Sequence, residues 1–171
     1  MGNYRESRNI IQSCIEKIRT ILLENNFTNV TVAKSFKQIY DAQFDPQLKT
    51  VLICVRIGIT IYDSVEVGSY ASQRKPLLLL DLFCSEGGQL EDLKDLLVSN
   101  LKYGFDYKEY SISGGVTSDA VFAGKATNGR IRVNNITETE VNLGDDKADL
   151  NIRDRYRSLI TLNCTKNSIE E

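Results

Sequence analysis

Two adjacent glycines in residues 75–97, KPLLLLDLFCSEGGQLEDLKDLL, occupy the position of a phosphate-binding loop. An apolar run precedes them and an amphipathic helical pattern follows, which is the order in which helix N-termini bind phosphate. However, neither Gly-Lys-Ser/Thr nor a third glycine opens the helix, and Glu86, Glu91 and Asp92 place negative charge where the anion would lie. These residues favour a structural turn in which Gly88 is the helix N-cap. A small phosphate- or nucleotide-binding enzyme is the rival interpretation.

The chain contains no histidine, which removes the usual general base at neutral pH and the commonest metal ligand. Asp81 interrupts an apolar run and is a candidate for a buried acid with a raised pKa. Pairing with Arg56 or with another base on a strand, or a position at the sheet edge, explains the same residue without catalysis and is favoured. The acids Asp145, Asp146 and Asp149 lack the spacing of a calcium loop and predict a solvated turn. We therefore expect no catalytic residues, no cofactor and no metal.

Several arginines follow the period of a β-strand near the end of the chain. Arg153, Arg155 and Arg157 recur at every second position, so their guanidinium groups would project from one sheet face. Arg130 and Arg132 on a neighbouring strand would extend this row. One interpretation is a solvent-facing strand, and the other is an interface held by charge-assisted pairs to the acids of another subunit. Nucleic-acid binding is less favoured, because acids are interspersed and the net charge is −2.

The composition is typical of a globular protein, with 42% hydrophobic and 26% charged residues. The 171 residues fit a single domain spanning 1–171. The polar N-terminus gives no indication of secretion, and the longest apolar run is too short to span a membrane. No C-x-x-C pair is present, and each cysteine falls in an apolar pattern, which predicts buried, reduced thiols. These cysteines are Cys14, Cys54, Cys84 and Cys164.

Two amphipathic helices are predicted. The first begins with a capping pattern, Asn3 followed by Glu6, and ends at Asn25 and Asn26. Its apolar stripe comprises Ile11, Ile15, Ile18 and Leu22, with Cys14 and Ile21 beside them. The second covers residues 89–102, and its core-facing stripe is Leu90, Leu93, Leu97 and Leu101, flanked by Leu96.

The strands are predicted from alternation and from β-branched residues. Residues 50–62, TVLICVRIGITIY, have Val or Ile at every odd position from Val51 to Ile61, and residues 77–84 resemble a central strand apolar on both faces except for Asp81. RIRVNNITETEV and RDRYRSLITLNCT form the last two strands. VTVA predicts a short strand, and SFKQIYDAQ a short helix or turn that stops before Asp45–Pro46.

Three segments lie outside these regular elements. Residues 64–75 predict an arm or hairpin that turns back toward the apolar run after Pro76. Residues 103–128 are glycine-rich and predict a long, mobile, partly strand-like excursion, and residues 166–171 a frayed tail. The order of elements predicts an α+β fold: a mainly antiparallel or mixed β-sheet with two α-helices packed on one face, plus an extended arm and a long loop.

The order of these elements resembles that of the tail terminator and related neck proteins of long-tailed bacteriophages. The resemblance covers about residues 5–165. It comprises the N-terminal helix, the strand TVLICVRIGITIY, the arm and strand VEVGSYASQRKPLLLLDLFC, the helix GGQLEDLKDLLVSNL, the strand GRIRVNNITETEV and the closing strand DRYRSLITLNC.

This resemblance implies a structural virion protein without catalytic residues, assembled in the host cytoplasm as a homo-oligomer, a hexameric ring. It implies that the ring joins the tail tube protein to the head connector, and that DNA passes through without specific binding. Contacts to neighbouring subunits, tube or connector are expected from the excursion and from the arm, at Glu66, Gly68, Tyr70 and Arg74. A monomeric adaptor that binds peptides by strand addition is a third interpretation.

Overall fold

The computed structural model describes residues 6–33, 51–65, 67–68, 72–84, 86–112, 120–122, 129–140, 156–166 and 169–170. This part of the chain contains two helices, α1 (Glu6–Glu24) and α2 (Gly87–Leu101). Its strands are β1 (Val30–Ala33), β2 (Val51–Ser64), β3 (Ser72–Cys84), β4 (Phe105–Asp106), β5 (Tyr110–Ile112), β6 (Ala120–Phe122), β7 (Arg130–Glu140), β8 (Tyr156–Lys166) and β9 (Ile169–Glu170).

One mixed sheet contains all the strands except β5 and β6, which pair with each other. Its strand order is β1-β2-β3-β8-β7-β4, and β9 pairs with the first residues of β3. β1 lies parallel to β2, and every other pair in the sheet is antiparallel. The sheet is therefore mainly antiparallel, with one parallel edge strand.

Both helices pack on the same face of this sheet. The odd residues at the start of β2, Val51, Ile53 and Val55, are buried against them. The predicted stripes are confirmed except that Ile10 replaces Ile11 among the fully buried residues of α1. Burial of each apolar side chain contributes about 1.5–3 kcal/mol, which outweighs the weak intrinsic preference of either helix. The chain has the predicted α+β fold.

The arm is a β-hairpin, because β2 and β3 continue as an antiparallel pair to Ser64 opposite Ser72. β3 thus begins five residues before the predicted start at Leu77. Proline has no backbone N–H to donate. Pro76 is tolerated inside β3 because the pairing of β3 with β8 begins one residue later, at Leu77. A β-bulge interrupts the pairing of β2 with β3 between Ile57 and Thr60. The hairpin, residues 57–65 with 72–76, continues the sheet past the point where β8 ends its pairing with β3.

The start of α2 differs from the prediction. Glu86, in an extended conformation, is the N-cap, and its side chain makes no capping bond. Gly88 therefore lies inside the helix, where Gly87 is the first residue. A Cβ atom added at Gly87 would lie 3.1 Å from the ring of Tyr156, which packs on the first turn. The glycine pair therefore allows close contact between α2 and β8, in addition to forming the turn.

The excursion is partly strand-like, as predicted, since it contains β4, β5 and β6. Its first part is attached to α1 by four hydrogen bonds, one of which runs from Ser13 Oγ to the Lys108 carbonyl at 3.4 Å. Asn9 Nδ2 donates to Tyr107 Oη at 3.2 Å, while Asn9 Oδ1 accepts from the Tyr110 amide at 3.3 Å. The Lys108 amide donates to Ser13 Oγ at 3.0 Å.

Some predictions concern residues outside the described part of the chain. They are the capping role of Asn3, the short helix or turn SFKQIYDAQ, the stop at Asp45–Pro46, and the solvated turn containing Asp145, Asp146 and Asp149.

Candidate interface surfaces and buried charge clusters

Asp81 lies on the sheet face opposite the helices and is 1% exposed. Its Oδ2 accepts from Arg56 Nε at 3.0 Å, and its Oδ1 accepts from Arg157 Nη2 at 3.0 Å. The two arginines come from the strands on either side of β3, so one carboxylate joins three strands. The predicted pairing of Asp81 with Arg56 is confirmed, and the cluster has the form of a structural ion triad.

Arg157 is held within the protein by this cluster. Its guanidinium carbon lies 4.9 Å above the centre of the Phe83 ring, in addition to its bond to Asp81. A cation over an aromatic face is stabilised by about 0.5–2 kcal/mol. The side chain of Arg157 is 26% exposed, so only part of it faces solvent.

The predicted row of arginines is wrong for the neighbouring strand. Arg157 is near the start of β8 and Arg132 near the start of β7, and Arg132 pairs with Thr165 at the far end of β8. Antiparallel strands have their starts at opposite ends of the sheet, which separates the two arginines by about 26 Å along the strand. Arg130 donates to the Tyr103 carbonyl at 2.7 Å, and Arg132 is exposed.

A second buried cluster lies on the helix face of the sheet and includes Arg74 of the hairpin. Glu6, the first residue of α1, forms ion pairs with Arg74 Nη2 at 3.5 Å and with Lys166 Nζ. All three residues are at most 8% exposed. The Lys166 ammonium lies 4.5 Å from the centre of the Tyr107 ring, and the Arg74 guanidinium 5.0 Å from that of Tyr62. The Glu6 cluster thus joins α1, the hairpin, β8 and the excursion.

The remaining arm residues are divided between the hairpin and the undescribed part of the chain. Arg74 belongs to the Glu6 cluster and not to an open surface, and Gly68 is exposed in a turn between β2 and β3. Four predicted interface residues lie outside the described ranges: Glu66, Tyr70, Arg153 and Arg155.

The hairpin and its turn expose large apolar side chains on both faces. Five of these residues are each at least 42% exposed: Ile59, Ile61, Tyr62, Val65 and Val67. The strand pattern of residues 50–62 predicts the backbone correctly, but its later odd residues contribute to a surface and not to the core. Asp63 and Lys75 form an ion pair across the hairpin, so its charges neutralise each other locally. Apolar surface concentrated in this way is typical of a protein-contact site.

All four cysteines are buried free thiols, as predicted. Burial, with a smaller contribution from the Asp81 charge, raises the pKa of Cys54 to about 11. Burial also raises the pKa of Cys84 and of Cys164 to about 12, and the pKa of Cys14 still further. Thiolate is the reactive form, so these cysteines are chemically inert near neutral pH.

Within the described ranges, no group of three or more acidic or cysteine side chains is placed to hold a metal ion. Neither described helix is both long and apolar enough to cross a membrane. At the candidate phosphate loop, the Tyr156 ring lies against Gly87 and the acidic Glu86 is the N-cap. Both observations favour a structural turn over a phosphate-binding loop as the role of the glycine pair.

No protein-family model matches the sequence, and no curated protein is significantly similar to it. The features that point to function are therefore the apolar hairpin and the open strand edges of the sheet.

Proposed function

We propose that this chain is a structural virion protein that forms a ring at the head–tail junction of a long-tailed phage. The ring caps the tail tube and joins it to the head connector. The main support is the hairpin, whose large apolar side chains face outward from a strand pair that continues past its pairing with β8. A side chain of this size loses about 1.5–3 kcal/mol when it stays in water, so a contacting protein is the natural counterpart.

The fold class and the order of elements are consistent with the resemblance to tail terminator and neck subunits. A net charge of −2 also suits a channel through which DNA passes without being bound. The site of action would be the virion, with assembly in the host cytoplasm. The expected partners are other copies of the chain in a hexameric ring, the tail tube protein and the head connector protein.

Electron microscopy of the purified full chain, alone and mixed with tail tubes, tests this proposal. Rings are expected, either free or at the tube ends, and joined to connectors when these are added. Double-stranded DNA at physiological salt should give no sequence-specific retention. A chain that stays monomeric and ignores both tubes and connectors would overturn the proposal.

A pair of variants tests the contribution of the hairpin. Ile61→Ser lowers its apolar surface and should weaken ring or tube binding at least severalfold. Leu23→Ser is the matched control, because Leu23 is 77% exposed on α1 and distant in sequence from the hairpin. Equal effects of the two substitutions would argue against the hairpin as the contact site.

The open edge of β7 favours a second candidate, a monomeric adaptor that binds peptides by strand addition. Beyond Ile131, β7 has no strand on its outer side among the described residues. Such an adaptor would bind extended peptides at 1:1 stoichiometry without forming rings, which light scattering and calorimetry separate from the first candidate.

A further inference from the structure

The outer edge of β7 has a regular stretch that no described strand covers. β4 pairs with β7 only at Arg130 and Ile131, and β4 begins directly after Gly104, which lies in a turn with a φ of 74°. Residues 135–140 pair with β8 on their inner side without irregularity, and their outer side has no strand in the described part of the chain. The outward backbone groups of this stretch are therefore available to a further strand.

The side chains of residues 135–140 differ between the two sheet faces. Ile136, Glu138 and Glu140 lie opposite buried residues of β8 and point to the helix face. Thr137 and Thr139 point to the other face. Ile136 packs half-buried against the core, whereas the two glutamates are exposed. A strand added at this edge would meet one aliphatic and two acidic side chains on the helix side, and two threonines on the other side.

Negative charge is in excess on the helix side of this edge. Lys94 of α2 is buried there, and its Nζ forms an ion pair with Glu91 Oε1 at 2.9 Å. The hydrogen bond to Glu91 raises the pKa of Lys94 despite burial, and the charges of Glu138 and Glu140 act in the same direction, so both lie near this ammonium. Three carboxylates around one ammonium leave a net charge of −2. A segment with basic side chains on this side would complement the excess.

We propose that residues 135–140 of β7 bind an extended segment of a partner protein whose side chains follow the order basic, any, basic, any, aliphatic. In antiparallel pairing, the two basic residues lie opposite Glu140 and Glu138, and the aliphatic residue lies opposite Ile136. The residues between them face Thr139 and Thr137, where β-branched side chains pack well. This inference rests on the second candidate function, strand addition at β7, and names the class of segment that is added.

The direction of the added segment follows from the neighbouring strand. β4 is antiparallel to β7, so an antiparallel segment continues the line of β4 and its C-terminal end stops before Gly104. Antiparallel pairing is also slightly more stable per residue than parallel pairing. The bulge between Val133 and Asn135 ends the regular stretch on the same side. The basic residues of the segment therefore come first in its sequence, beside the last residues of β7.

Calorimetry with synthetic peptides tests the order of side chains. The Lys peptide, Thr-Lys-Thr-Lys-Thr-Ile-Thr with blocked ends, should bind the full chain at 1:1 stoichiometry. The reversed peptide, Thr-Ile-Thr-Lys-Thr-Lys-Thr, has the same composition and charge and should bind at least severalfold more weakly. The Glu peptide, with both lysines replaced by glutamate, should not bind. Equal or stronger binding of the reversed peptide would overturn the proposed pairing.

Methylation of the peptide nitrogens separates strand addition from simple attraction of charges. In an added strand, the N–H groups of alternate residues point to β7 and the others point to solvent. Two forms of the Lys peptide, methylated at one or the other set of alternate nitrogens, should therefore differ: one loses binding and the other keeps it. The same affinity for both forms would overturn this inference together with the second candidate function.

Charge reversal on the protein tests the two glutamates. Glu138→Lys combined with Glu140→Lys should weaken binding of the Lys peptide at least about tenfold and should allow the Glu peptide to bind. Glu16→Lys combined with Glu24→Lys is the matched control, because it changes the net charge equally but on α1. Equal weakening by the two double variants would show attraction by net charge alone and would overturn the proposal.

The outcomes separate this inference from the proposed functions. Peptides that bind whatever their charge, and that lose binding on methylation of only one set of nitrogens, would overturn the basic pattern and leave strand addition standing. A wild-type chain that forms rings and binds none of the peptides would overturn this inference and the second candidate, and would leave the ring subunit standing.

Discussion

Glu6, the first residue of α1, forms an ion pair with Arg74 of the hairpin, with 3.5 Å between Oε2 and Nη2. Both side chains are buried, and Lys166 contacts the same carboxylate from the end of β8. The hairpin is therefore attached to the helical layer by charge on one face, whereas its other face presents the exposed Ile59 and Ile61. This division suits a projecting element that must keep a fixed direction.

Substitution of Glu6 should destabilise the protein strongly. Glu6→Gln removes the negative charge that Glu6 provides to the buried Arg74 and Lys166, and breaking a buried pair typically costs about 3–5 kcal/mol. Urea unfolding followed by circular dichroism measures the change. Glu16→Gln is the control, because Glu16 pairs with Arg19 on an exposed helix surface and should lose no more than about 0.5 kcal/mol. Similar losses for both variants would contradict the importance of the cluster.

The Asp81 triad should behave as one unit on the other sheet face. Asp81→Leu leaves Arg56 and Arg157 facing each other across a buried apolar group, and we expect a loss of about 3–5 kcal/mol. Replacing all three by Leu removes the uncompensated charges as well, so the triple variant should be more stable than Asp81→Leu alone. Chemical denaturation of both variants checks the order, and the reverse order would show that the arginines are satisfied without Asp81.

Gly104 should tolerate no side chain. Its φ is 74°, and an added Cβ atom would lie 2.3 Å from the carbonyl oxygen of Ile131. Gly104→Ala should therefore cost at least about 1–2 kcal/mol for the backbone conformation, plus the displacement of β7. Gly88→Ala is the control, since Gly88 is helical and has open space around its Cβ position. It should be neutral or stabilising by up to about 1 kcal/mol in thermal unfolding.

The buried thiols should make the protein less stable at alkaline pH. Their pKa values rise on folding, from 9.0 to about 11 for Cys54 and to about 12 for Cys84. Above pH 9 the unfolded chain releases protons that the folded chain retains, so the free energy of unfolding falls as pH rises toward these values. Urea midpoints at pH 7, 9 and 10.5 should decrease in that order.

A thiol reagent provides the control for this interpretation. At pH 8 the folded protein should react slowly at all four cysteines, and the urea-unfolded protein should react fully. Rapid reaction of any thiol in the folded state would show that it is accessible and that burial is not the cause of the pH dependence.

Local sequence patterns predict much of the fold. Alternation along residues 50–62 predicts β2, and the leucine spacing from Leu90 to Leu101 predicts α2, because one buried face imposes its period on the sequence. The partner of Asp81 is also predicted, since a carboxylate in an apolar strand requires a nearby base.

The Glu6 cluster could not be predicted in the same way. Glu6 follows Asn3 in a helix-capping pattern, and this pattern accounts for the glutamate by local contacts alone. Its ion pairs with Arg74 and Lys166, which are distant in sequence, leave no local signal. The only signal was Lys166 at the end of an apolar strand. Similarly, the row joining Arg157 with Arg132 fails because the direction of pairing decides which ends of two strands meet, and composition contains no information about direction.

The bulge between Ile57 and Thr60 divides β2 into two halves. Side chains alternate between the two sheet faces in each half, but odd residues face different sides in the two halves. Before it, odd residues face the helices. After it, Tyr62 lies on the helix side beside Arg74, and Ile61 lies on the opposite face. Unbroken alternation of the same sequence would place Ile61 on the helix side and Tyr62 on the opposite face, so the one extra residue of the bulge exchanges the two. A single backbone insertion thus selects which of two chemically different faces the chain presents to a neighbour.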